Sequence, residues 1–111
     1  MQITILLEYN DRSLLRRWLE ENHATATEVW VTCNRSKSPK EGTIAYSDIV
    51  EEALCFGWID STLKKLPDGR LAQRLSPRRR DSHWTELNIR RCRSLTERGL
   101  MTQAGINAMP E

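Results

Sequence analysis

The tripeptide Pro67-Asp68-Gly69 constrains this chain more than any other feature. Proline presets φ for the second position of a tight turn, and glycine supplies the positive φ that other residues resist. The flanking segments, Trp58 to Leu66 and Arg70 to Leu75, then form a β-hairpin (about 58–66 and 70–75). Strands joined so directly pair antiparallel, whereas a doubly wound sheet needs a helix between its strands. The expected fold class is therefore α+β: a small antiparallel sheet including this hairpin, packed against three to four helices.

The rest of the chain supplies those helices. Gln2 to Tyr9 is rich in aliphatic and β-branched residues and reads as an opening edge strand. Asn10 or Asp11 caps a helix ending near Asn22, with Leu14, Leu15, Trp18 and Leu19 on one face and Arg12, Arg16, Arg17, Glu20 and Glu21 facing outward. Glu28 to Asn34 carries apolar weight on both faces and reads as a central strand. Arg35 to Gly42 is polar, holds Pro39 and Gly42, and reads as a solvated loop. Ser47 is placed to cap a helix from about Asp48 to Phe56 with the stripe Ile49, Val50, Ala53 and Leu54, and Gly57 ends it. Asp81 or Ser82 is placed to cap a further helix with Trp84, Leu87, Cys92 and Leu95 buried, and Thr102 caps a last short one reaching about Met109. Four tryptophans, at 18, 30, 58 and 84, fall in four different segments, so each brings a large anchor to one shared core, and residues 1–111 read as a single domain.

Several function classes are disfavoured. Seventeen basic and 15 acidic residues leave a net charge of +2, too balanced to imply a nucleic-acid or membrane partner by itself. The distribution is uneven, with eleven Lys or Arg against four Asp or Glu between Lys64 and Arg98. Cys33, Cys55 and Cys92 are odd in number and lack CxxC spacing, so they read as small core residues of a reducing compartment, with neither disulfides nor a metal. His23 and His83 are distant from each other and from any cysteine in sequence, which removes zinc ligand spacing. The apolar run Ile3 to Leu7 has no basic flank and is too short to span a bilayer; no membrane insertion and a cytoplasmic location are expected. No GxSxG, Walker loop or GxGxxG occurs, so no catalytic residue and no cofactor is assigned.

The run Glu52-Ala53-Leu54-Cys55-Phe56-Gly57-Trp58-Ile59-Asp60, with Gln73-Arg74, Ser76-Pro77-Arg78, Ser82, Trp84, Asn88 and Gly99-Leu100-Met101-Thr102 after it, resembles the YdeI/OmpD-associated family. The segment from Trp18 to Trp30 is similar to that family's opening block, so the resemblance covers nearly the whole chain from about Asp11. It implies an uncharacterised bacterial accessory protein associated with stress or bacteriocin protection, and it supplies no catalytic residue. Family members continue into a helical C-terminal segment ending in basic residues. This chain stops at Glu111, as a short form or a truncated one would, and its loop from Asn34 to Gly42 departs from the family's basic, glycine-containing stretch.

Two candidate sites emerge. Asp60, Gln73, Arg74 and Asn88 are polar residues where core is expected, and with Trp58 and Trp84 as a floor they outline a pocket for a small anionic or amide-bearing ligand. The blander reading of the same residues, and the one to prefer, is a structural network in which, for instance, Asp60 pairs with Arg74 and fixes the hairpin against the following helix. Alternatively, Arg78, Arg79, Arg80 and Arg90 follow a nucleic-acid backbone, with Trp84 stacking on a base, or they are simply a solvated face. An enzyme of unspecified reaction is a third alternative. The sequence leaves the ligand and the oligomeric state open.

Overall fold

The structure, a computed structural model, describes residues 2–35 and 41–110. Its elements are β1 (Leu6–Leu7), α1 (Arg12–Asn22), β2 (Val29–Asn34), β3 (Ile44–Ala45), α2 (Tyr46–Cys55), β4 (Trp58–Lys65), β5 (Leu71–Pro77), α3 (Glu86–Glu97) and α4 (Gln103–Ala108). The α+β class holds. The hairpin is β4–β5, its turn closed by Leu66 N–H donating to Arg70 O at 2.7 Å and by Gly69 at φ +92°. Most of the expected loop 35–42 lies outside the described residues.

β2 is the central strand. β5 pairs with it antiparallel over Val29–Cys33, while β1 and β3 lie in tandem along its other edge, both parallel to it. The sheet is thus mixed, where an antiparallel one was expected. The two parallel pieces are two residues each, too short for alternation to reveal them, and only Leu6–Leu7 of the anticipated strand 2–9 pairs. Thr32 marks the junction between them: its hydroxyl donates to Gly42 O at 2.5 Å, with Leu7 O 3.3 Å away.

Strand alternation sorts the side chains. Val29, Val31 and Cys33 of β2, Leu75 of β5 and Trp58 of β4 share one face and pack against Leu15 and Leu19 of α1, Ile49, Val50, Ala53 and Leu54 of α2, and Cys92 and Leu95 of α3. Burying one such large side chain stabilises the fold by roughly 1.5–3 kcal/mol. The other face carries Trp30, which is fully buried and donates Nε1–H to Glu28 Oε2 at 3.1 Å.

The helix ends explain three departures from expectation. α2 begins at Tyr46, not Asp48, because Ala45 is already fixed by pairing with Asn34, and no side chain caps it. α3 begins at Glu86, because Thr85 Oγ1 accepts from Asn88 N–H at 3.1 Å while the Ser82 hydroxyl is taken by Arg78. Trp84 therefore precedes the helix, and Leu87 is exposed. Arg12 and Arg16 do not face water: they turn onto α2, where Glu52, only 4% exposed, receives both.

α4 is seated as anticipated on a Thr102 cap, and it docks on the C-terminal turn of α2. Thr102 donates from both N–H (3.0 Å) and Oγ1 (2.5 Å) to Cys55 O, and Gly105 packs onto that same carbonyl.

The three cysteines are free and buried, and desolvation pushes each thiol above its ordinary range, Cys92 to about 11. A thiolate is the reactive form, so Ellman's reagent at pH 8 is expected to label none of them in the native protein and all three in guanidinium chloride. Stoichiometric labelling of the folded protein would contradict this packing.

Candidate functional site

Where β5 ends, Pro77 faces Trp58 across the hairpin and the chain turns away with Arg78 N–H donating to Gly57 O at 2.9 Å. This turn, the segment leading to Trp84 and helix α4 enclose a cleft of about 740 Å³. One wall is basic, with Arg78, Arg79, Arg80 and Ser82; another is apolar, with Phe56, Trp58, Ala104, Ala108, Met109 and Pro110; His23, Trp84 and Asn107 complete it. Among the described residues no Asp or Glu lines it.

Arg78 is the most constrained group in the cleft. Its guanidinium carbon lies 3.8 Å above the centre of the Trp84 ring, and Nη1 donates to Ser82 Oγ and to His83 O, both at 3.1 Å. Nε and Nη2 are buried and have no hydrogen-bond partner. Burial pulls this guanidinium below the ordinary arginine value, an effect partly opposed by Cys92 and then by the Asp60 carboxylate. A guanidinium stays protonated across the physiological range regardless, so a desolvated cation stands here with two unsatisfied donors. Such donors are costly to leave unmade, and in a guanidinium this is the edge able to bond two oxygens of an oxyanion side by side.

His23 also lines the cleft, its Nδ1 2.8 Å from Leu19 O and its ring 5.1 Å from that of Phe56. With Nδ1 engaged by a carbonyl, Nε2 is the nitrogen left for a ligand. Trp58 is buried at the base, where Trp18 meets it edge to face at 6.0 Å.

Of the six residues expected to form a pocket, the structure brings only Trp58 and Trp84 together in this cleft. Asp60 and Arg74 do not pair. Asp60 lies opposite Leu75 in the hairpin, so Arg74, one residue away, projects from the other face of the sheet. The Asp60 carboxylate instead accepts from the Tyr46 hydroxyl at 2.6 Å, tying β4 to α2; burial, then that carboxylate, pushes the phenol above its usual range. Arg74 lies over the Trp30 side, with Nη1 donating to Ser61 Oγ at 3.2 Å and to Ser76 Oγ at 3.4 Å. Its Nε is 3.5 Å from Glu28 Oε2, an ion pair rather than a hydrogen bond, and it holds the Glu28 carboxyl below the ordinary range. Buried Gln73 donates to Thr62 O at 3.2 Å, satisfying a carbonyl at the irregularity between Asp60 and Leu63. Asn88 accepts from Arg91 within α3 at 2.9 Å. These four make contacts within the fold and do not line the cleft.

The arginines expected for nucleic acid divide as well. Arg78, Arg79 and Arg80 line the cleft, whereas Arg90 is an exposed residue of α3 outside it. Among the described residues no cluster of three His, Cys, Asp or Glu side chains is placed to hold a metal ion, and no helix is long and apolar enough to cross a membrane.

Fold and site together define a small α+β domain with a basic and aromatic cleft at one end of its sheet. The chain matches the family model described as Domain of unknown function (DUF8412) over residues 7–108 and belongs to that family. Comparison with curated proteins and with solved structures found no match.

Proposed function

We propose that this protein is a binding domain for a small anionic ligand, taken up in the cleft between the end of the hairpin and α4. The observation that carries the reading is Arg78: a guanidinium whose plane is set by Trp84, whose Nη1 is saturated, and whose Nε and Nη2 are buried without a partner. An oxyanion entering the cleft supplies the two missing acceptors. This reading sits with a cytoplasmic accessory protein of stress or protection type, as the resemblance to YdeI/OmpD-associated proteins implies.

Calorimetric titration with inorganic phosphate and with acetate tests it. At least one of these anions is expected to bind wild-type protein, and Arg78→Gln and Arg78→Lys are each expected to weaken that binding at least tenfold with the circular dichroism spectrum unchanged. Lysine keeps the charge but not the fork, so both variants should fail. Absence of binding of either anion at 10 mM to the wild type would overturn the reading.

A nucleic-acid reading has one observation in its favour, the exposure of Arg79 and Arg80 beside Trp84. In that case the ligand is an oligonucleotide, and its affinity falls steeply with added salt.

A further inference from the structure

We infer that the ligand of this cleft is a phosphate monoester carrying an apolar or aromatic body, an inference that rests on the anion-binding reading above. The Nε and Nη2 edge of Arg78 is by itself enough for a carboxylate, a planar monoanion with two oxygens in one plane. The cleft holds more positive charge than that. Arg79 and Arg80 line it too, both exposed and neither with an ion-pair partner among the described residues. Three guanidinium groups lining one cleft match a tetrahedral dianion: Arg78 takes two oxygens, and the rim arginines face the remaining charge.

His23 supports the same class. Its Nδ1 is occupied by Leu19 O, which leaves Nε2 as the ring nitrogen able to hydrogen-bond a further oxygen of the ester. The size of the cleft gives the rest of the molecule. About 740 Å³ is far more than a phosphate group fills and lies in the range of organic ligand sites, and Phe56, Trp58 and Met109 line the part without charge.

Phenyl phosphate, benzoate and inorganic phosphate separate the possibilities, because the first two share a body and the first and third share an anion. Titrated at pH 7.5 and constant ionic strength, phenyl phosphate is expected to bind at least tenfold tighter than either of the others. The double variant Arg79→Ala/Arg80→Ala is expected to lose the preference for phenyl phosphate over benzoate while still binding benzoate. Benzoate binding as tightly as phenyl phosphate, or a double variant that keeps the preference, would overturn the phosphate monoester and leave an anion site at Arg78. Inorganic phosphate matching phenyl phosphate would overturn the apolar body. Binding confined to oligonucleotides, or no binding by any of the three, would overturn this inference and the anion-site reading with it.

Discussion

Replacing Glu52 with alanine is expected to lower the free energy of unfolding by about 2–4 kcal/mol, somewhat less than the roughly 3–5 kcal/mol for breaking a fully buried pair because Arg12 and Arg16 are partly exposed. The carboxylate is 4% exposed. Its Oε2 receives Arg12 Nη2 at 2.6 Å and Nε at 2.8 Å, and its Oε1 receives Arg16 Nη1 at 3.1 Å. Removing it strands two cations between α1 and α2, though Arg12 keeps Asp48 and Glu51, and Arg16 keeps the Leu100 carbonyl. Those remaining partners hold the loss below the upper end known for such networks. Glu52→Gln preserves the shape and an acceptor and is expected to cost less than alanine. Arg70 provides the contrast: its partners Glu8 and Asp68 are each more than half exposed, and solvent screens such pairs so that they add little to stability. Chemical denaturation of the variants measures these differences, and a Glu52→Ala protein as stable as wild type would mean that the network contributes nothing.

Gly105→Ala is expected to destabilise the protein by about 1–3 kcal/mol, the usual cost of forcing an extra methyl into a packed site. A Cβ built there would lie 2.4 Å from Cys55 O and 2.8 Å from Leu54 O, both main-chain atoms that no side-chain rotation can move. In an exposed helix the same change would help by about 1 kcal/mol, because alanine is the better helix former. The sign therefore reports whether α4 is truly seated on α2. Ala104, Asn107 and Ala108 of α4 form one wall of the cleft, so lifting the helix is also expected to weaken anion binding severalfold. A neutral or stabilising Gly105→Ala would show that α4 rides loosely and does not shape the cleft.

Much of the fold was legible because its signals are local. Pro67 and Gly69 determine the hairpin whatever surrounds them, the double-sided apolar pattern of residues 28–34 marks a central strand, and Thr102 stands where a short helix needs its cap. Tertiary relations were less visible. Whether Asp60 meets Arg74 depends on hairpin register, where a shift of one residue exchanges the faces, and here a strand irregularity intervenes. Glu52 stands with Asp48 and Glu51 in the first turns of its helix and reads as complementing the helix dipole; the signal that was present is the spacing of Arg12 and Arg16, four apart on the opposing helix. Arg78 was visible only as one of three like neighbours. Its distinction is contextual, arising from a ring 3.8 Å below it and two donors with nothing to bond.

The pairing of Cys33 with Leu71 turns residues 34–70 into one closed excursion that contains β3, α2 and β4. Its entropic cost grows only logarithmically with length, each doubling adding about 0.6 kcal/mol. Relatives with a longer or shorter connection between β2 and β3 would thus pass almost unnoticed by the thermodynamics of the domain. The turn at Pro67 to Gly69 has no such latitude, since an added residue there would change the register on which both faces of the sheet depend. Variation in chain length is cheap at one end of this excursion and prohibitive near the other.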